Sequence, residues 1–211
     1  MKVTKYSHAC LVVEKENQSL VIDPGVWSSD FVAPSNVVGV VVTHEHPDHC
    51  DIEKLRKLAE KNPEVKIYAH QDVVEKLDGL PCQSVESGKI IHVGDFALEF
   101  CGGEHAVIHE SWPRFANLGV MVDSTLYYPG DSFSPAPGPV KVLALPASAP
   151  WMKFSEAMDF LTSVKPERAF PTHDAILSET GQSLADTMFS GVAEQAGVTY
   201  ARIASGSSIE I

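Results

Sequence analysis

The chain has 211 residues, of which 44% are hydrophobic, and this is enough material for one well-buried domain. Its formal net charge is −12, and its isoelectric point lies near 5.1. Nucleic acids and anionic membranes both need clustered Lys and Arg on their protein partners, so this charge balance argues against either as a partner.

The cysteine content and the N-terminal residues indicate the cellular compartment of the protein. The chain has four cysteines and no C-x-x-C pair: Cys10, Cys50, Cys82 and Cys101. Charged Lys2 follows Met1, and no apolar run reaches the roughly 18 residues of a membrane helix, so we expect neither a signal peptide nor a membrane span. A reduced, cytoplasmic protein with free thiols is predicted. Cys50 directly follows His49, and its side chain is expected to be a small buried thiol, with contact to a site there as the alternative.

Short apolar or alternating runs predict strands in the first half of the chain, at residues 3–6, 10–14, 19–22, 37–42 and 66–69. Residues 51–60 predict a helix because Ile52, Leu55 and Leu58 share one face, with Asp51 as its N-cap. A second, shorter helix is predicted for residues 72–77.

The second half repeats this alternation of strands and helices. Strands are predicted at residues 89–93, 96–101, 117–122, 125–128, 140–145, 168–171, 200–203 and 208–211. Helices are predicted at residues 154–164 and 183–196. Two sheets packed face to face, with helices outside, would bury these apolar runs in a single domain over residues 1–211.

The run H-x-H-x-D-H directly follows the predicted strand 37–42 and consists of His44, His46, Asp48 and His49. Three imidazoles and one carboxylate therefore fall within six residues. Neutral imidazole nitrogen and carboxylate oxygen are suitable ligands for zinc and similar divalent ions. A solvated His-rich turn is the alternative, but a surface loop has no ordinary reason to concentrate these side chains.

Residues of the same types recur where later predicted strands end. His105 follows strand 96–101, Asp131 follows strand 125–128, and His173 follows strand 168–171. Each strand end could project its residue into a common cleft held by a rigid scaffold. A single such histidine is more often a structural hydrogen-bonding residue, whereas the run and these three residues together predict a metal site.

These residues resemble the ligands of the metallo-β-lactamase superfamily of hydrolases: the H-x-H-x-D-H run, His105, Asp131 in Gly-Asp-Ser, and His173. The sequences YSHAC at 6–10 and VIDP at 21–24 are also similar to this family, so the resemblance covers nearly the whole chain. The chain looks most similar to the small stand-alone branch that includes ascorbate-6-phosphate lactonase-like proteins. The resemblance implies an α/β fold, a four-layer αββα sandwich of two mixed sheets with helices outside.

The resemblance also implies two divalent metal ions joined by a bridging Asp131, with His44, His46 and His105 on the first ion and Asp48, His49 and His173 on the second. Zinc is expected because the oxygen-reducing di-iron relatives carry Glu where this chain has His46. Manganese or iron are alternatives, since a mixed His/Asp site is not selective by itself. Paired ions can share a water, lower its pKa and stabilise a developing oxyanion, while Asp131 or Asp48 orients the nucleophile.

Other residues are candidates for roles around the metals. Asp23 either accepts the second N–H of a ligand histidine or caps the Asp-Pro-Gly turn. His8 is expected near the site, or else is structural. His109 either protonates a leaving group or contacts substrate, or it is an ordinary strand-face histidine. Trp112 and Arg114 lie on a loop that either forms a wall of the pocket, with Arg114 binding a carboxylate or phosphate, or packs on the protein surface without contacting substrate.

Trp151 is a second candidate for a pocket wall, with core or interface packing as its alternative.

Taken together, the residues and the resemblance predict a metal-dependent hydrolase that uses a hydroxide held by two metals on a small ester or lactone. A phosphodiesterase acting on a small phosphodiester is one alternative. A non-catalytic metal-binding interaction protein is another, from a different class. A homo-oligomer is left open, because exposed sheet edges in such sandwiches often support assembly.

Overall fold

The computed structural model describes all of residues 1–211. In chain order the elements are β1 (Lys2–Lys5), β2 (Leu11–Lys15), β3 (Gln18–Ile22), β4 (Val37–Val41), α1 (Ile52–Lys61), β5 (Lys66–Ala69), α2 (Gln71–Val74), β6 (Cys82–Ser84), β7 (Ile90–Val93), β8 (Phe96–Glu104), β9 (Ala116–Val122), β10 (Leu126–Tyr128), β11 (Val142–Pro146), α3 (Phe154–Val164), β12 (Arg168–Thr172), α4 (Glu179–Ala196), β13 (Thr199–Tyr200) and β14 (Ser207–Glu210). None of the helices is long and apolar enough to cross a lipid bilayer.

The strands form two mixed sheets of seven strands each, with orders β14-β1-β2-β3-β4-β5-β6 and β13-β12-β11-β10-β9-β8-β7. In each sheet, antiparallel hairpins occupy one side and parallel strands the other. Thus β14 to β3 pair antiparallel and β3 to β6 pair parallel. The second sheet repeats this layout, antiparallel from β7 to β10 and parallel from β10 to β13. The two halves of the chain therefore share one topology.

The largest apolar cluster lies between the sheets and takes residues from both, including Leu20, Phe96 and Phe170. A second cluster lies where α3 and α4 pack on one sheet, and a third where α1 packs on the other. This is the four-layer αββα sandwich that the sequence predicts. Because the central cluster joins both sheets, we propose that residues 1–211 form one domain.

Most element positions follow the sequence-based prediction, and the exceptions have local causes. The Asp51 carboxylate accepts the backbone N–H groups of Glu53 and Lys54, so α1 begins as expected. Helix α4 begins earlier than predicted because Ser178 caps it, and it ends at Gly197 in the left-handed conformation. The three-residue β6 was missed because it lacks an apolar alternation, and the strand predicted at 200–203 shortens to β13.

Candidate metal centre

The loop after β4 is organised by the buried carboxylate of Asp23, which follows β3. Its Oδ1 accepts the Thr43 backbone N–H at 2.8 Å, and its Oδ2 accepts the Thr43 hydroxyl at 2.6 Å. The same Oδ2 accepts the His49 Nδ1–H at 2.6 Å. This contact fixes the His49 tautomer and leaves Nε2 as the free electron-pair donor, the first of the two roles expected for Asp23.

Close packing holds the Asp23 turn against the loop that carries the His/Asp run. A Cβ placed on Gly25 would lie 1.7 Å from the Asp48 backbone oxygen. Only glycine leaves room for this approach. The turn and the run therefore act as one rigid unit.

The first group of donor atoms comprises His44, His46 and His105, whose nearest ring nitrogens all lie within 4.8 Å of one another. His44 Nε2 is 3.1 Å from His46 Nδ1, while His44 Nδ1–H donates to the Thr43 hydroxyl at 3.0 Å. His105, at the end of β8, donates its Nδ1–H to the Ala106 carbonyl at 2.5 Å. His44 and His105 thus turn Nε2 inward, and His46 turns Nδ1 inward.

The second group comprises Asp48, His49 and His173, and the structure adds His8 to it. Asp48 Oδ2 lies 3.4 Å from His173 Nε2 and 3.7 Å from His49 Nε2. His173 follows β12 with a φ of +57° and donates its Nδ1–H to the Ser148 carbonyl at 2.6 Å. His8 donates its Nε2–H to Asp48 Oδ2 at 3.0 Å and so orients that carboxylate.

Asp131 lies between the two groups, after β10. Its Oδ1 is 3.1 Å from His49 Nε2, and its Oδ2 is 2.9 Å from His173 Nε2 and 3.5 Å from His105 Nε2. The buried Asn117 side chain accepts the Asp131 backbone N–H at 2.9 Å. Neither Asn117 nor Ser148 is predicted from the sequence, although a polar residue at an inward position of a buried strand is a signal for Asn117.

Four buried polar atoms at this place make no well-aligned hydrogen bond, although oppositely charged neighbours lie close to them: Nε2 of His49, His105 and His173, and Oδ1 of Asp131. Leaving such an atom unsatisfied costs about 1–3 kcal/mol, so a cluster of four needs an explanation. Imidazole nitrogens and carboxylate oxygens converging on one point are the donor set of zinc and related divalent ions. The residues present therefore fit divalent cations.

Charge coupling is strong within the cluster. Burial raises the pKa of the Asp131 carboxyl, but the neighbouring His49 and His173 imidazoles outweigh it and hold that pKa well below its usual range. Burial lowers the pKa of His173, and the two carboxylates beside it bring that pKa up to about 9. Burial lowers the pKa of His8 to about 4 against the hydrogen bond to Asp48, so His8 is neutral. Burial raises the pKa of Cys50 to about 12, and its uncharged thiol, which is half-buried rather than fully buried, packs against the apolar cluster under α1.

A cavity of about 140 Å³ opens over the cluster. Its walls beyond the donor residues are Trp27, Ile108, Pro150, Trp151 and Ile176. Neither Lys nor Arg lines it. The cavity is therefore apolar apart from the donor atoms at its floor.

Three candidate residues of the sequence analysis lie away from this cavity, on the exposed loop between β8 and β9. His109 pairs its Nδ1 with the Ser111 hydroxyl, Trp112 is 56% exposed, and Arg114 forms an ion pair with Glu110 at 3.3 Å. Their catalytic and pocket roles stay predictions. The same loop instead sends Ile108 into the cavity wall and Phe115 against the ring of His46, with ring centres 4.7 Å apart.

The beta-lactamase superfamily domain model matches residues 2–173. The chain belongs to this superfamily. Protein Rv0786c of Mycobacterium tuberculosis is 35% identical over 213 residues, which cover 95% of this chain and all of that protein. UPF0173 protein PYRAB01190 of Pyrococcus abyssi is 29% identical over 188 residues, covering 82% of this chain and 83% of the relative.

Solved structures share the superfamily fold. Igni18, a metallo hydrolase from the archaeon Ignicoccus hospitalis, superimposes with a TM-score of 0.76 at 18% identity and covers 100% of this chain and 98% of its own. A likeness at this identity shows the fold. Family membership and fold together confirm the predicted assignment to a metal-dependent hydrolase of the metallo-β-lactamase superfamily.

Proposed function

We propose that this superfamily hydrolase uses two divalent cations, most readily zinc, to hydrolyse an ester or lactone bond in a small, largely uncharged substrate. The observation that carries the proposal is the convergence of unpartnered imidazole and carboxylate atoms beneath a small apolar cavity. The description of Igni18 as a metallo hydrolase is in keeping with it.

The division of donors into two groups supports a pair of ions. His44, His46 and His105 would hold one, Asp48, His49 and His173 the other, with Asp131 close to both groups. Bound cations supply two things, a lowered pKa for the attacking water and stabilisation of the negative charge that develops on the substrate oxygen. Manganese or iron would use the same donors.

The protein's own residues orient the reactants. Asp48 and Asp131 present carboxylate oxygens at the cavity floor, where an Oδ atom can accept a proton from the attacking water. His8 holds Asp48 through a 3.0 Å hydrogen bond, which keeps that carboxylate from rotating. The apolar walls seat the substrate and exclude bulk water. His109 is left out of this machinery because its ring lies on an exposed loop.

The cavity lining favours an acyl over a phosphoryl substrate. Sites that recognise phosphate usually present Arg or Lys, and neither lines this cavity. A volume of about 140 Å³ is below the roughly 300–1,000 Å³ of typical ligand pockets, which favours a small scissile group. Ester and lactone carbonyls fit both conditions.

The test combines metal analysis with a bond screen. Protein purified without chelator is analysed for metal and assayed on aryl esters, aliphatic lactones and bis-p-nitrophenyl phosphate. We expect about two cations per chain and ester or lactone hydrolysis that chelation abolishes and zinc restores. Faster cleavage of bis-p-nitrophenyl phosphate than of the esters and lactones would favour a phosphodiesterase over an esterase or lactonase.

The same screen tests the alternative that the chain binds metal without catalysing a reaction. Metal uptake without turnover of any probe would favour it over an enzyme. Asp131→Ala serves as the matched negative variant, because an enzyme loses hydrolysis and much of its metal when this residue is removed.

The four cysteines are free, which supports the cytoplasmic location that we propose.

A further inference from the structure

Trp151 makes a direct contact with the carboxylate that lies between the two groups of donors. It follows β11 and donates its indole Nε1–H to Asp131 Oδ2 at 2.8 Å. Indole is a donor only, so the direction of this hydrogen bond is unambiguous. A hydrogen bond to a charged acceptor is also stronger than one between neutral groups.

The two oxygens of Asp131 are thereby made unequal. Oδ2 accepts the indole N–H and lies 2.9 Å from His173 Nε2 and 3.5 Å from His105 Nε2. Oδ1 makes no hydrogen bond and lies 3.1 Å from His49 Nε2. Rotation of the carboxylate about its Cβ–Cγ bond would break the indole contact. The indole therefore determines which donor histidines each oxygen of Asp131 faces.

The segment that carries Trp151 is itself tied to the site at several points. The Ser148 carbonyl accepts the His173 Nδ1–H at 2.6 Å, and the Ala147 N–H donates to the Thr172 carbonyl at 2.9 Å. The Trp151 ring packs edge-on against Phe133, two residues after Asp131, with ring centres 5.1 Å apart. One short segment between β11 and α3 thus holds both Asp131 and His173.

We propose that Trp151 is a positioning residue for Asp131, which fixes the rotation of its carboxylate so that Oδ1 faces His49 while Oδ2 faces His173 and His105, and that the same ring forms the cavity wall on which the substrate packs. The inference rests on the metal centre proposed above and deepens it. The Trp151 side chain would then couple substrate fit to the geometry of a metal ligand. Any movement of its ring changes both the cavity wall and the hydrogen bond to Asp131.

The experiment compares two tryptophan variants in the same cavity. Trp151→Phe keeps an aromatic wall and removes the N–H, whereas Trp27→Phe changes another part of the cavity wall, where the indole packs on the His8 ring with centres 4.7 Å apart. Zinc affinity is measured by competition with a chromophoric chelator. We expect Trp151→Phe to bind zinc about 10-fold or more weakly, as is typical when a partner of a metal ligand is removed. Trp27→Phe is expected to stay within about twofold in zinc affinity and to raise KM.

Equal zinc affinity of Trp151→Phe and the unaltered protein would overturn the positioning role and leave the metal centre intact. Equal losses in both variants would also overturn it, since they would show a general packing effect. Failure of the unaltered protein to bind zinc, manganese or iron would instead remove the proposed function, and this inference with it.

A second measurement does not depend on any Trp151 variant being folded. The chain has three tryptophans, so a ¹⁵N-labelled sample gives three indole signals, and Trp27→Phe and Trp112→Phe identify that of Trp151 by elimination. We expect this signal to exchange with water at least 10-fold more slowly than the other two and to shift as zinc is added. Exchange as fast as that of the exposed Trp112 would overturn the proposed hydrogen bond.

Discussion

At the scale of single residues, the donor histidines are held in place by hydrogen-bond acceptors on the side of each ring that faces away from the site. Asp23, the Ala106 carbonyl and the Ser148 carbonyl accept Nδ1–H groups of His49, His105 and His173. Each contact selects a tautomer and turns Nε2 inward. Such partners are nearly as important for metal affinity as the ligands themselves, because a misoriented imidazole cannot share its lone pair with a cation.

Asp23→Asn tests this arrangement with almost no change of shape. An amide has only one acceptor oxygen, so it cannot serve Thr43 and the His49 N–H as the carboxylate does. We expect zinc affinity to fall about 10- to 100-fold, measured by chelator competition. Asp30→Asn is the control, because Asp30 is exposed and contacts Ser7 and Ser205 instead. Unchanged zinc affinity of Asp23→Asn would contradict the tautomer-fixing role.

Close approach at Gly25 gives a second prediction at this scale. Gly25→Ala would drive a methyl group into the Asp48 backbone, so the turn or the metal-ligand loop must shift. We expect a loss of about 1–3 kcal/mol in the free energy of unfolding, together with weaker zinc binding. Urea unfolding measures the first quantity. Gly138→Ala is the matched control, with open space around its Cβ and an expected change within about 0.5 kcal/mol.

At the scale of elements, strand ends place the chemistry. The carboxyl ends of β3, β4, β10 and β12 are each followed within a few residues by Asp23, the His/Asp run, Asp131 or His173. The fold repeats its strand layout in the two sheets, so both halves bring loops to one shared edge. Strand ends are rigid, and short loops leaving them therefore hold donor atoms within hydrogen-bonding distances.

Helix α4 offers a matched pair of glycines with opposite expected effects. Gly197 ends the helix at a φ of +73°, whereas Gly191 lies inside it, and both have open space for a Cβ. Gly197→Ala should destabilise the protein by about 1 kcal/mol, because an L side chain is strained in the left-handed region. Gly191→Ala should stabilise it by about 0.5–1 kcal/mol, because alanine loses less entropy in a helix. Thermal unfolding separates the two, and a shift in the same direction for both would contradict the assigned helix end.

At the scale of the whole molecule, a buried ion cluster joins the first strand to the last metal-ligand loop. Lys5 of β1 is almost fully buried and lies 3.3 Å from Asp174, the residue after His173. Arg202 contacts the same carboxylate and also pairs with Asp186. The two sheets are thus tied together beside the metal centre.

Lys5→Met tests this connection. The change leaves the buried Asp174 carboxylate with one cation fewer, so we expect a loss of roughly 1–3 kcal/mol in the free energy of unfolding. Lys2→Met is the control, since the exposed Lys2–Glu14 pair is worth about 0–1 kcal/mol. Equal effects of the two substitutions in urea unfolding would show that the buried pair does not stabilise the fold.

Much of this protein follows from the sequence by itself. Apolar periodicity predicts nearly every strand and helix, because burial of one face is a local demand on local residues. The ligand types in the His44–His49 run are equally local, and their chemistry predicts a metal site without any coordinates. Resemblance to a hydrolase superfamily then implies the residues from later strand ends, which the fold brings within reach of the run.

The packing of the two sheets sets how the remaining residues relate to that site. His8 and Trp151 meet the carboxylates of Asp48 and Asp131 across long stretches of chain, and nothing in their neighbouring residues predicts those contacts. His109 lies four residues from His105, yet its loop turns it outward to solvent. The physical reason is that periodicity and residue type report what each segment must bury or bind, whereas distances between loops depend on how two sheets pack.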